Sequence, residues 1–200
     1  AVLTSAQVAA FTTAQLQVVD SSQLAAFTTA NIRGISETKI SSISTDAIKS
    51  LETADFEALT SLQVTGFSTK QIAVLSSDQV IAFNSGNLKG LSSTQLGAIN
   101  TDSIKSFQTA DLVGLTEFQI VGLTTDQVRV LTTLQVQAIT SKQVSVLSTA
   151  QTNAFRSDQI KALTVDNVKG LTTAQFSTLS TDVIRSIDSE DIDALGSQQL

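Results

Sequence analysis

Apolar residues recur along the chain with a period of eight. Leu3, Phe11, Val19, Phe27, Ile35, Ile43 and Leu51 open a row that continues at every eighth position to Leu195, 25 positions without a gap. A second row lies five residues further on. It runs from Val8, Leu16 and Leu24 to Leu200, and only Thr152 breaks it. With the first row numbered position zero, position one is Ser or Thr in 17 of 25 octads and Asp or Asn in four more. Position two is Ser or Thr in 22 and position four is Gln in 15. Position seven is small or Val, as at Ala10, Val18, Ala26, Gly34, Ser42 and Ser50.

Three structures compete for this pattern. A continuous α-helix leaves each octad about 80° out of phase with the last, so its apolar stripe spirals around the cylinder and buries nowhere. A β-strand needs alternation, which the polar run at positions one to four interrupts. A short helix per octad satisfies every position. Position one becomes the N-cap and position four the third helical residue, so that Thr12 and Gln15 form a capping box. Phe11 and Leu16 then stand where a hydrophobic staple requires them. Each helix is expected to run about seven residues before turning sharply into the next. Isolated helices of this length are unstable in water, so stacking must hold them. The two apolar side chains per octad supply the driving term, roughly 1.5–3 kcal/mol each when fully buried. The small residues at position seven let neighbouring backbones approach.

The charges follow the same frame. Asp46 and Lys49, Asp102 and Lys105, Asp126 and Arg129, Asp158 and Lys161, Asp166 and Lys169, and Asp182 and Arg185 are all i,i+3 pairs, acid first. That order complements the helix dipole and contributes roughly 0.2–0.5 kcal/mol per pair on a solvated face.

A longer period is superimposed. Phe27 to Gly34 resembles Phe83 to Gly90, and Leu163 to Gly170 after that; Thr45 to Lys49 resembles Thr101 to Lys105 and Thr181 to Arg185. These shifts of seven and ten octads are both near multiples of 3.4. Folded on that number, Gly34, Gly90, Gly114 and Gly170 share one sector, and Gly66 and Gly122 another. The pattern predicts an all-α fold: an α-solenoid of about 25 short capped helices, one per octad, with about 3.4 octads or 27 residues per turn. At the helix spacing of ~8–10 Å, that makes a rod of about seven turns. Residues 1–200 read as one continuous solenoid, part of a longer array or assembly. A β-helix, which needs like residues in register from rung to rung, is disfavoured by the fractional count.

Few places depart from the frame. Thr152 is followed by Arg156 in place of a cap, which marks either a weak joint at 143–157 or a threonine facing solvent. Leu62, Phe118 and Leu134 put large apolar groups at position three, and Ile81, Val113 and Val121 at position six. Both positions face outward in most octads, so these residues mark contacts between copies or thicker parts of the core.

Composition narrows the chemistry. There is no Cys, His, Met, Trp, Tyr or Pro, and the net charge is −6. The Ser–His nucleophile and the thiolate metal site cannot be built. An acidic chain with scattered cations is a poor partner for nucleic acid or anionic lipid. No P-loop, GxGxxG or HExxH motif occurs, and no apolar run is long enough to span a membrane. The closest acidic group, Asp188, Glu190, Asp191 and Asp193, has the chemistry for Ca²⁺, but acidic residues at a helix N-terminus are the simpler account. No catalytic, cofactor-binding or metal-binding residue is assigned, and no cofactor is expected. If the Ser and Thr rows are caps, their hydroxyls are partly used by backbone amides, which argues against ice binding.

The units "LTTAQ", "LTSLQV", "LTTDQV" and "LTTLQV" resemble the L-[ST]-[ST]-x-Q-[VIL]-x-[AG]-[LFI] octapeptide arrays of large bacterial secreted and cell-surface proteins, some of them adhesin-like. The resemblance covers essentially the whole chain and carries no catalytic residue. It implies a non-enzymatic structural protein, secreted or at the cell surface, that forms a rod, filament or stalk. Partners would be copies of itself and other surface components. The alternative is a binding module whose solenoid groove takes a protein or glycan.

Overall fold

The computed structural model describes residues 3–196. The chain is all-helical: among the described residues there are 22 α-helices and two 3-10 turns, and no strand. They are arranged in two compact units, the first ending at Ser106 and the second beginning at Phe107.

Each octad is built as its sequence directs. Thr12 is extended (φ −78°, ψ 163°) and caps the helix Thr13–Gln17; its Oγ1 accepts from the Gln15 amide, while Gln15 Oε1 accepts from the Thr12 amide. The same reciprocal box recurs from Thr4 and Gln7 to Thr172 and Gln175. The helices are shorter than the seven residues expected, four to six each. The link explains the difference. In octads such as Leu96 to Ser103, the position-zero residue Ile99 (φ −61°, ψ 134°) and the cap Asn100 (φ −66°, ψ 152°) are both extended. Two of eight residues are therefore spent on a corner. The corner needs no left-handed backbone, and no positive φ occurs among the described residues. This is why β-branched Ile is tolerated at the turn and a C-terminal glycine is not required.

Two octads form a 3-10 turn in place of an α-helix, at Ile32–Gly34 and Leu88–Gly90. Both carry Asn at position four. Its Oδ1 accepts from the N-cap amide (Asn31 Oδ1 from Thr28 N, 2.8 Å; Asn87 Oδ1 from Asn84 N, 2.8 Å), but Asn167 makes the same bond to Thr164 N within the α-helix Val165–Val168, so the shorter side chain alone does not impose the 3-10 turn.

The turns stack with the predicted period. In the first unit Ser5–Ala9 packs on Ile32–Gly34, and Ser93–Ala98 on Thr69–Ala73. In the second Thr109–Gly114 packs on Thr133–Ala138, and Ser157–Lys161 on Thr181–Ser186. Each pair is three octads apart. Hydrogen bonds between turns join residues 25 to 31 apart, a range that brackets the 27-residue turn.

The two apolar rows are the core. From Phe27 onward every position-zero residue is buried, and so is the second row from Val8 to Val168. Phe56 anchors the first unit, meeting Phe67 at 6.1 Å and the edge of Phe83 at 5.6 Å. Thr152 is fully buried, not facing solvent. Its Oγ1 donates to the carbonyls of Ser148 (3.2 Å) and Thr149 (3.1 Å), so the hydroxyl is satisfied inside its own helix.

Position seven is the place of closest approach. A Cβ on Gly34, Gly66, Gly90 or Gly170 would lie about 2 Å from the carbonyl oxygen of Ser5, Glu37, Ser61 or Ser141, in each case 29 residues earlier. Ser50 fills the same position by donating its hydroxyl to Ser21 O at 2.8 Å. Gly114 meets nothing within 4 Å. Gly90→Ala should therefore cost about 1–3 kcal/mol through overpacking, whereas Gly114→Ala, at a helix end with open space, should be neutral or stabilise by up to about 1 kcal/mol. Thermal unfolding of the two variants checks the contrast; equal effects would contradict the close approach.

Candidate interaction surface

The residue that occurs most regularly without being apolar is the position-four glutamine, and its burial is the first surprise. Gln71 is 1% exposed. Its Oε1 accepts from Ser68 N (2.8 Å) and Ser68 Oγ (3.0 Å), completing the capping box. Its Nε2 donates to Ile40 O (2.8 Å) and Ile43 O (2.7 Å) in the preceding turn. Ile40 ends its helix and its carbonyl also accepts from Ile43 N at 3.1 Å, so the amide adds a second bond there, whereas Ile43, at the corner, offers a carbonyl with no backbone donor of its own. One amide thus caps the start of its own helix and the end of another. Gln63, Gln143, Gln159 and Gln175 repeat this, each reaching the carbonyls 28 and 31 residues back. No buried side-chain nitrogen or oxygen lacks a partner among the described residues. Capping chemistry predicts only the first half of this role.

Asparagine in place of the glutamine still bridges, as Asn87 Nδ2 does to Phe56 O at 2.9 Å; with other replacements the carbonyl is reached another way or not at all. Position four is Ser103 in one octad, and the cap Asn100 donates its Nδ2 to Leu75 O at 3.0 Å, the carbonyl 28 residues before Ser103. Arg156, in place of a cap, donates to Arg129 O and pairs with Asp158 at 2.9 Å. That contact holds the Asp158 carboxyl below its ordinary value and draws it away from Lys161. Of the six i,i+3 pairs expected, Asp46–Lys49, Asp102–Lys105 and Asp182–Arg185 close within 4 Å.

Asp55, Asp111 and Asp191 also occupy position four and are buried. Asp55 Oδ2 accepts from Glu52 N at 3.3 Å and Asp111 Oδ2 from Gln108 N at 3.2 Å, keeping the capping half of the glutamine's role. A carboxylate cannot donate to the turn below. Burial pushes all three carboxyls up from the usual range, helped at Asp55 by Glu52 and at Asp191 by Asp188 and Glu190. Of the acidic group singled out above, Asp191 faces inward while Asp188 is an exposed cap. Among the described residues no three acidic side chains converge as a metal site would require.

The outward apolar residues are placed as follows. Phe118 is 86% exposed and Leu134 66%; Leu62, Val113 and Val121 are also exposed, and Ile81 is half-buried. Val18 and Val146, at the small-residue position, are exposed as well. The frame assigns that position to close packing and so gives no signal for them. Phe118, Val121 and Val146 line one groove of about 430 Å³ with Glu117, Lys142 and Ser145, between the helices Glu117–Ile120 and Ser141–Val146. A second, polar groove of about 450 Å³ shares Lys142 and Ser145 and adds Ser141, Lys169, Thr172 and Thr173.

Residues 48–85 and 104–141 match the family model of the ALTTAQ repeat. The chain is a repeat array. The second stretch begins 56 residues after the first, the seven-octad shift already seen between Phe27 and Phe83. No curated protein matches the chain.

Two measurements test the glutamine and its carboxylate replacements. Gln71→Ala strands a cap amide and the Ile43 carbonyl and takes the second bond from Ile40 O, and should cost about 2–4 kcal/mol. Gln15→Ala, whose Nε2 reaches no carbonyl, should cost about 1 kcal/mol from the cap alone. Denaturant titration separates them. Asp55 has a folded-state pKa raised by burial, so its contribution favours folding at acid pH and is lost as pH rises through that raised value. Asp55→Gln should therefore gain about 1–2 kcal/mol over the parent near neutral pH, by restoring the missing bonds, and the gain should shrink in acid. A pH-independent difference would refute the assignment.

Proposed function

We propose that the chain is a structural, non-catalytic repeat protein that serves as a rod, stalk or filament unit at the surface of a bacterial cell or in a secreted assembly. The observation that carries this reading is the consumption of recurrent polar groups by the fold itself. The Ser and Thr row is turned to helix caps, and the Gln row is buried between turns. The position-two hydroxyls, such as Thr13 and Thr69, stand exposed, but with no His in the chain they have no usual base to activate them. The same engagement counts against ice binding: Thr12 Oγ1 both accepts from Gln15 N and donates to Gln15 Oε1. Secreted or surface placement is supported by the resemblance to octapeptide arrays of such proteins. Self-association is supported by large apolar side chains at outward positions, Phe118 and Leu134 above all.

A binding module is the second reading. The polar groove lined by Ser141, Lys142, Lys169 and Thr173 favours it, because a glycan is recognised by polar groups on a concave surface. Negative-stain microscopy of the purified chain separates the two. Rods or fibres are expected. Uniform compact monomers with measurable glycan affinity would overturn the structural reading.

A further inference from the structure

We infer that the apolar groove around Phe118 is a twofold docking site for a second copy of this chain, an inference that rests on the self-associating role proposed above. The patch contains both halves of a contact. Phe118 projects as a knob, 86% exposed, at the rim of a groove of about 430 Å³ whose other apolar walls are Val121 and Val146. A twofold axis brings identical patches together, so each copy must offer both the knob and the hole. The ring of one copy enters the groove of the other, and the reverse contact forms at the same time.

The charges in the patch obey the same rule. Glu117 and Lys142 line this groove together. They make no ion pair with each other, and neither joins any of the ion pairs among the described residues. An acid and a base that share a rim without pairing in one chain are free to pair across a twofold contact. Glu117 of each copy meets Lys142 of the other, closing the apolar centre with two equivalent ion pairs. An acidic or a basic peptide would satisfy only one of the two. A second copy satisfies both, within a contact that is itself neutral. The octads explain why the site is local: position three is Ala or a polar residue in most of them and Phe only here.

Sedimentation velocity over a concentration series tests the full chain. The parent should dimerise. Phe118→Ser, Glu117→Lys and Lys142→Glu should each weaken dimerisation at least tenfold, with unchanged far-UV circular dichroism, since all three side chains lie outside the core. An equimolar mixture of Glu117→Lys with Lys142→Glu should recover it, because in that heterodimer both ion pairs are restored, one in the native polarity and one reversed. A parent that stays monomeric, dimers indifferent to Phe118→Ser, or a mixture that fails to recover would each overturn the twofold site. Rods or fibres that form equally well with Phe118→Ser would remove this inference and leave the structural role intact, whereas compact glycan-binding monomers would remove both.

Discussion

A primary amide has one acceptor and two donor hydrogens, and the fold depends on using both ends at once. A four- to six-residue helix leaves most of its backbone polar groups without intrahelical partners. Twenty such helices in a row would be a catalogue of unsatisfied amides and carbonyls if capping were local only. The Gln side chain solves this between turns. Its oxygen serves the amides at the start of one helix, and its nitrogen serves the carbonyls at the end of another, as Gln71 does for Ser68, Ile40 and Ile43. The apolar rows provide most of the free energy, but they are tolerant of exchange among Leu, Ile, Val and Phe. The amide bridge specifies the separation and the register.

The remaining features fall into place around that bridge. Glycine at position seven lets the backbone of one turn meet a carbonyl of the turn before, as at Gly90 and Ser61. The extended corner at residues such as Leu115 presents its carbonyl to the next turn, where the Gln143 amide finds it. Octads that lack the glutamine recruit a substitute, such as Asn100 for Ser103, or carry a buried carboxyl that caps and does not bridge, such as Asp55.

Much of this was legible in the chain. The octad frame, the caps and the boxes are local chemistry, written in residues three apart, and they stand where Thr12 and Gln15 imply. The turn of 27 residues could be read from Gly34, Gly90 and Gly170 because close approach to the neighbouring turn admits little else at those places. The second role of the glutamine was not legible, because a capping residue gives no sign of where its other end points until the turn below exists. Helix length was overestimated because the cost of the corner depends on backbone angles that Ile and Leu adopt as readily as Gly. Thr152 reads as a weak joint or a solvent-facing residue because a hydroxyl looks polar in sequence, although in a helix it can return to its own carbonyls. Of the interaction surface, Phe118 and Val121 stood out by breaking the frame. Val146 did not, since valine at position seven is common, and the groove they share exists only once two turns are stacked.

The same bridge sets the unit in which such a chain can change. The bridging glutamines reach carbonyls 28 and 30 or 31 residues back, and every octad offers carbonyls of the same kind at those places. Removing or adding a whole octad hands each amide a new but chemically identical partner, and every bond re-forms. Removing one residue shifts every later amide off its carbonyl and moves a hydroxyl or a charge into the core row. Length in this architecture is therefore quantised in eights, and duplication, slippage and recombination can lengthen the array freely so long as they respect that quantum.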